Sequence, residues 1–487
     1  MLIEVKELTT INNKSCNITK DMVLLSKTYV LFEVSYQGSE FMALTGNDTA
    51  DKKLCKGLFI TLGVSMLTPE YIAPFFIFGL FIYFKRLFSK THRRALMGEV
   101  GKIFFVYMCY MMVSAIWSDT HLLSVLIPLL WMGCFLCYIA TANIINTKAK
   151  LDKAIYSVVI SAGIIGAMAV ISGLSFNICK HFNNYTLLFP NPFYYELNDL
   201  LYDLMSENLV GITNYRFRSR ASATFDNPLI LATYLSAVTP FCAFASVHFS
   251  NKKHKKISII CFAMALGGII FTSSRGAYIA AAISIFIFLL SNKRVFKKLL
   301  PFVAGLVVAV PLGLFLRYRN TPIGDFFQSD SQRMNIWKYS FKMFLEHPIF
   351  GLGAGTENVH VILRDTYGID RHHAHNLFLQ MLAEGGIIGG IFVITIIVLI
   401  VKGIIAIFRE NDKKYRDYGV LYTSSLIGFT VMSIFEFTLQ SPKELMTMFF
   451  ILGFIEATKR LVRDEVQFPE GEIQQEDAEE KKAVTTV

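Results

Sequence analysis

The chain has 487 residues, of which 53% are hydrophobic and 17% charged, with a formal net charge of +10 and a mean hydropathy of +0.46. So few charged residues cannot cover the surface of a soluble protein of this size, so the composition excludes a water-soluble enzyme and predicts an all-α polytopic membrane protein. The positive charge does not indicate nucleic acid binding, because the lysines and arginines cluster in short loops between apolar segments.

Apolar segments near the length of a membrane-spanning helix recur along most of the chain and predict about twelve transmembrane helices. The first two are short, are separated by Thr68-Pro69-Glu70, and are alternatively one broken span. The segments are 56–67, 71–85, 102–118, 122–144, 154–175, 228–248, 257–272, 275–291, 298–316, 386–408, 419–438 and 443–460.

Every second loop between these segments is rich in lysine and arginine. The positive-inside rule therefore predicts that these basic loops, and both termini, are cytoplasmic. The opposite face then receives 175–227, the tight turn 272–275 and a large extracytoplasmic loop, 317–385, before the tenth span. Long loops in a chain of short connections are usually functional.

The predicted domain organisation has three parts. Residues 1–54 form a cytoplasmic N-terminal segment without an assigned role, and they contain no cleavable signal peptide. Residues 55–460 form the membrane domain. The polar, acidic residues 461–487 are expected to be a disordered cytoplasmic tail.

Three arginines on the predicted outer face are candidate anion-binding residues. Arg275 lies between two apolar segments that are joined by almost no loop. A cation at this position is costly unless it is paired or faces a hydrated cavity, so a functional role is favoured over that of a simple interfacial anchor. Arg220 precedes the span at 228, where an interfacial contact to lipid phosphate is the simpler interpretation. Arg333 lies in a predicted amphipathic surface helix, and a structural and a functional role are equally favoured.

His375 is the candidate acid or base, because a histidine titrates near neutral pH and can take a proton from a sugar hydroxyl. With His372 and His373 it also forms a cluster of the kind that binds metals. The outer loops have no Asp-x-Asp pair that would hold a divalent ion beside a diphosphate, so a metal-free acid/base role is preferred. Several cations with no matching group of anions predict a lipid diphosphate as the ligand, since arginine binds phosphate oxygens bidentately.

Four motifs in this order resemble the O-antigen ligase superfamily, which includes O-antigen-type polysaccharide polymerases. The resemblance covers roughly 56–460. Ala223 and Asp226 depart from it, because the family more often has glycines there. The motifs are Arg220-Ala-Ser-Ala-Thr-Phe-Asp-Asn-Pro228, Ser273-Ser-Arg-Gly-Ala277, Arg333 followed by His347-Pro-x-x-Gly-x-Gly353, and His375-Asn-x9-Gly386-x-x-Gly389.

The resemblance implies a GT-C-like membrane glycosyltransferase of the bacterial cytoplasmic (inner) membrane that needs no metal or other cofactor. Its active site would be extracytoplasmic. Arg220 and Arg275, with Arg333 as a third candidate, would bind an undecaprenyl diphosphate-linked glycan donor, and His375 would activate a glycan or glycolipid acceptor with inversion at the anomeric carbon. The choice between ligase and polymerase stays open. The alternative hypothesis is a polytopic transporter or flippase of glycolipids, which the many apolar spans equally allow.

Overall fold

The computed structural model describes residues 49–70, 72–77, 97–182, 220–291, 323–410 and 413–467, with side chains in slightly narrower ranges. The described residues from Lys53 onward belong to one compact unit. Every regular element in the described ranges is helical, in agreement with the predicted all-α fold. Most of the N-terminal segment 1–54 and the end of the tail lie outside the described residues.

The helices follow the chain with short connections. We number them α1 (Thr49–Val64), α2 (Glu99–Val113), α3 (His121–Ile144), α4 (Lys148–Phe182), α5 (Pro228–His248), α6 (Lys252–Thr272), α7 (Arg275–Ser291), α8 (Ile323–Glu346), α9 (Thr356–Tyr367), α10 (Leu377–Phe408), α11 (Lys413–Phe435) and α12 (Pro442–Gln467).

Seven helical segments of the described residues are long and apolar enough to cross a membrane, and α7 is a shorter apolar helix. The predicted segments 228–248 and 275–291 agree with α5 and α7 residue for residue. The predicted segment 298–316 lies outside the described residues, as does 71–85 apart from 72–77. A polytopic membrane protein is therefore confirmed, while the count of about twelve spans stays a prediction.

Lipid-facing surface is clearest on α10. Its most apolar window has a mean hydropathy of 3.0, yet only 17% of that window is buried within the protein. In water such an exposed apolar surface would be unfavourable, so α10 lies at the periphery of the bundle against lipid.

The connections between helices gather at two opposite ends of the bundle. At one end, Ala221 donates a backbone hydrogen bond to Phe271, and Asn376 contacts the end of α11. At the other end, His248 lies 3.3 Å from Asp152, and Tyr418 contacts His248. The described parts of the loops predicted to be extracytoplasmic lie at the first end, and the described parts of those predicted to be cytoplasmic lie at the second.

The large loop before α10 is largely helical rather than irregular. It contains α8, α9 and the first turns of α10, which begins at Leu377 rather than at the predicted 386. The earlier start is explained by Asn376, whose side chain accepts a hydrogen bond from the Leu379 amide and caps the helix.

The turn after α8 docks by its backbone against the first third of α10. Leu352 and Gly353 donate to the carbonyls of Ala383 and Glu384, and Ile387 donates to the carbonyl of Pro348. This pairing joins the two glycine-containing motifs, His347–Gly353 and Gly386–Gly389, that are separate in sequence.

Gly386 makes this docking possible. Its φ of +60° breaks the helical path, and a Cβ at this position would lie 2.4 Å from the carbonyl oxygen of Ile349. Gly351 faces it with a φ of +70°, and its Cβ would lie 2.4 Å from the backbone of Glu384. Only glycine satisfies both the left-handed conformation and the close approach of the two backbones.

Candidate active site

His375 is held by Glu436, which follows the last residue of α11. The Nδ1 atom of His375 lies 3.0 Å from Oε1 and 3.1 Å from Oε2 of Glu436, whose side chain is buried. A carboxylate accepts, so Nδ1 carries a proton, and whenever the ring is neutral its lone pair is on Nε2. This is the tautomer that a general base requires.

Two further features fix the position of His375. Its φ is +48°, an uncommon conformation for a residue with a side chain. The next residue, Asn376, caps α10 through its side-chain oxygen and donates through Nδ2 to the carbonyl of Ile434 at 3.1 Å. The pair His375-Asn376 therefore connects the start of α10 to the end of α11, where Glu436 lies.

His373 is a second partner of Glu436. Its Nε2 lies 2.5 Å from Oε1 of the carboxylate, while its buried Nδ1 has no partner among the described residues. Burial by itself would raise the pKa of Glu436, but the charges of the two histidines and the hydrogen bonds from them hold that pKa below its ordinary value. Glu436 is thus kept as an anion that orients both rings.

Arg275 lies beside this cluster as the first residue of α7. The next residue, Gly276, packs against Phe435, whose ring atoms would lie 3.0–3.2 Å from a Cβ at position 276. Since Phe435 is the neighbour of Glu436 in the chain, the start of α7 and the His375–Glu436 pair share one end of the bundle. Ser273, with a φ of +51°, makes the reversal between α6 and α7.

Arg220 is anchored on the same turn. Its Nε donates to the carbonyl of Thr272 at 2.7 Å, and the Ala221 amide donates to the carbonyl of Phe271 at 2.9 Å. The structure thus brings the Arg220 segment to within a few residues of Arg275. Ala223 adopts a φ of +50°, which accounts for the glycine that the family more often has there.

Buried ionisable side chains contact the segment that follows Arg220. Lys443 is fully buried and donates from Nζ to the carbonyl of Thr224 at 2.6 Å and to the carbonyl of Met66 at 3.2 Å. Glu70 accepts a hydrogen bond from the Asp226 amide. Burial and the charge of Asp226 raise the pKa of Glu70 to about 8, and Lys443 acts in the opposite direction.

The expectation that the outer-face cations have no matching anions is wrong. The carboxylates of Asp226 and Glu436 lie near them, and the side chains of Glu70 and of Glu444, at the start of α12, are buried. Sequence analysis assigned none of these a role. A signal was present, since Glu436 and Glu444 are ionisable residues in predicted spans, and such residues are functional candidates by default.

Arg333 is partly buried on α8. Among the described residues, no hydrogen bond or ion pair connects it to Arg220, Arg275 or His375. Its neighbours Gln332, Asn335 and Ile336 line a cavity of about 320 Å³ that the segment Gly368–Arg371 closes on the other side. Contacts of neighbouring residues therefore bring the chain at Arg220, Arg275 and His375 to the same end of the bundle, whereas Arg333 lies on the adjoining loop helix.

The fold and the site together define a polytopic α-helical membrane protein with a histidine–carboxylate pair and two arginines at one end of its bundle. Residues 260–394 match the family model described as O-antigen ligase, and this match supports the resemblance to that superfamily that the motifs predicted. The match includes Arg275, Arg333 and His375 but neither Arg220 nor Glu436. A comparison with curated proteins gives no match.

Proposed function

We propose that the chain is a metal-independent, inverting membrane glycosyltransferase that takes its glycan from an undecaprenyl diphosphate-linked donor. The match of residues 260–394 to the O-antigen ligase family model supports a role as a membrane glycan ligase or polymerase. The observation that carries the finer proposal is the hydrogen bond between His375 and Glu436 beside the turn that begins with Arg275.

The chemistry follows from these positions. Nε2 of His375 takes the proton of the acceptor hydroxyl, and the oxygen attacks the anomeric carbon of the donor sugar. The bond from that carbon to the diphosphate oxygen breaks, and undecaprenyl diphosphate leaves with the electron pair. Attack from the side opposite the leaving group inverts the anomeric configuration. Glu436 stabilises the imidazolium that forms, as a carboxylate does beside other catalytic histidines.

The two arginines act on the leaving group. The hydrogen bond from Nε to Thr272 orients the Arg220 guanidinium, and Arg275 begins the helix that follows the turn to which Arg220 is bound. Positively charged donors positioned where negative charge develops contribute a few kcal/mol each in a site that excludes water. We place this reaction at the outer face of the cytoplasmic membrane, in cell-envelope polysaccharide biosynthesis, because the positive-inside rule puts these loops outside.

The buried group around Lys443 gives the transporter alternative a specific basis, because ionisable groups inside a helical bundle are typical of transporters. In this protein, however, Lys443 donates to two backbone carbonyls that shape the Arg220 segment. These contacts are a sufficient structural reason for its burial, and they favour the enzyme.

One experiment separates the two functions. The full chain is reconstituted in vesicles with lipid-linked glycan extracted from cells that lack this chain, in the presence of EDTA. The enzyme is expected to release undecaprenyl diphosphate in equal amount to new glycosidic linkages. Movement of the glycolipid across the bilayer with its lipid linkage intact would favour the transporter. Transfer that stops in EDTA and returns with zinc, while the melting temperature stays unchanged, would contradict the metal-independent mechanism.

A further inference from the structure

A second cluster of histidines and carboxylates lies on the loop that leads to His375, outside the proposed reaction site. Glu357 and His360 are one turn apart on α9, so their side chains share one face of that helix. The segment after α9 returns over this face and brings Asp370 and His372 to it. The rings of His360 and His372 have centroids 4.2 Å apart.

The distances in this cluster fit metal ligands better than hydrogen bonds. Nδ1 of His360 lies 3.4 Å from both carboxylate oxygens of Glu357, which is longer than a good N–H···O hydrogen bond. Two ligands that each lie about 2.0–2.2 Å from a tetrahedral metal are separated by roughly 3.3–3.5 Å. One donor atom from each of Glu357, His360 and His372 lies within 4.8 Å of the other two.

Asp370 completes the arrangement from the far side of the ring. Its Oδ1 lies 3.0 Å from Nε2 of His360 and accepts the proton of that nitrogen. Histidines that bind metals almost always donate their other ring N–H to a carboxylate or carbonyl in this way. When Nε2 of His360 carries the proton, Nδ1 presents a lone pair to the carboxylate of Glu357, and the two electron-rich groups repel each other. A cation bound between them would remove this repulsion.

The histidine cluster at Glu436 differs in this respect. His373 and His375 lie 2.5 Å and 3.0 Å from the same oxygen, which are hydrogen-bond distances and leave no room for a metal between the atoms. The geometry thus separates the three neighbouring histidines of this segment. His373 and His375 contact Glu436, whereas the ring of His372 packs against that of His360.

We propose that Glu357, His360 and His372 bind a divalent transition metal, with Zn²⁺ the best match to two imidazoles and one carboxylate, and that Asp370 orients His360. The metal ties α9 to the segment that carries His375 three residues later. It has a structural role, because it touches neither the proposed base nor the arginines. Its loss loosens the 368–376 segment without removing a catalytic group.

Zinc binding to the full-length protein in detergent tests this site directly. Protein stripped with EDTA and transferred to metal-free buffer is titrated with Zn²⁺, and with Mg²⁺ as the contrasting ion. We expect one zinc ion per chain, a raised melting temperature, slower hydrogen exchange in 368–374, and no effect of Mg²⁺. His372→Ala should abolish zinc binding, and because His372 is exposed this variant is expected to fold.

His373→Ala is the matched control, since it removes the adjacent histidine from the other cluster. It should retain zinc. Absence of zinc binding in the unmodified chain would overturn the proposal. Loss of zinc in His373→Ala with retention in His372→Ala would place the metal at Glu436 and would overturn it equally. Glycan transfer is not the readout, so this test is independent of the proposed function.

Discussion

Glu436 holds both carboxylate oxygens within 3.1 Å of Nδ1 of His375, across 61 residues of sequence. The carboxylate also binds His373 and lies next to the residue that packs on Gly276. This one side chain therefore connects the proposed base to the turn of Arg275. An account based on His375 alone would leave the tautomer and the orientation of its ring unexplained.

Replacing Glu436 with glutamine should reduce transfer by roughly 10²-fold or more, because the amide neither fixes the tautomer nor stabilises the imidazolium. The measurement is the initial rate with lipid-linked glycan in vesicles. Glu346→Gln is the control, since Glu346 is exposed and pairs only with Lys342 on the same helix. A Glu436→Gln rate equal to that of the control would contradict a positioning role.

The same substitution makes a prediction about pH and stability. The pKa of Glu436 is lower in the folded protein than the ordinary value of 4.5, so the carboxylate contributes stability that is present above pH 4.5 and is lost as the pH falls through the folded pKa. The melting temperature of the unmodified protein should exceed that of Glu436→Gln most above this pH. The difference between the two melting temperatures should narrow in more acidic buffer. A difference that widens there would contradict a lowered pKa of Glu436.

Arg275→Lys should be severely impaired although it keeps the positive charge. A lysine ammonium cannot reproduce the planar, bidentate contact of a guanidinium with diphosphate oxygens. Binding of the donor lipid and the rate of transfer should both fall. Arg364→Lys is the control, because Arg364 is exposed and pairs with its neighbour Asp365. Equal loss in both variants would show a general effect on the loop rather than a diphosphate contact.

Ala223→Gly should keep or raise the melting temperature, because it relieves a left-handed conformation that costs about 1–2 kcal/mol for an L-residue. The greater freedom of glycine in the unfolded chain offsets part of this gain. Ala221→Gly, two residues earlier and buried in an ordinary conformation, should lower the melting temperature. A lower melting temperature for Ala223→Gly than for Ala221→Gly would contradict the positive φ of Ala223.

The membrane orientation is tested by cysteine labelling in whole cells, in a chain whose eight native cysteines have been replaced. A cysteine in place of the exposed Glu346 should react with an impermeant thiol reagent. One in place of the exposed Lys253 should react only after the membrane is opened. The reverse pattern would move the proposed site to the cytoplasmic face.

Much of the fold could be predicted because each spanning helix is a local sequence property. The segments 228–248 and 275–291 are uninterrupted apolar runs with clear ends, Asn227 caps α5 as its sequence indicates, and the structure follows them. The start of α10 was predicted too late, since its first turns carry the polar residues Gln380 and Glu384. These bond to each other and are buried, which hydropathy alone does not reveal.

The candidate site was predictable only in part, because local sequence patterns do not show contacts between distant residues. His375 and Arg275 are unusual where they stand, next to apolar segments. Glu436 and Lys443 have their roles through contacts with residues far away in sequence, and such pairing is not encoded in any local pattern. The docking of Gly351 on Gly386 belongs to the same class, because each glycine is explained only by the backbone opposite it.

The central claim is that Nε2 of His375 removes the proton of the acceptor, and the most direct measurement is the rate of glycan transfer by His375→Ala in vesicles with the donor lipid at saturation. The account predicts a loss of roughly 10²–10⁴-fold with donor binding retained. His347→Ala, which removes an exposed histidine from the end of α8, should transfer at the unmodified rate. Full transfer by His375→Ala would contradict the account.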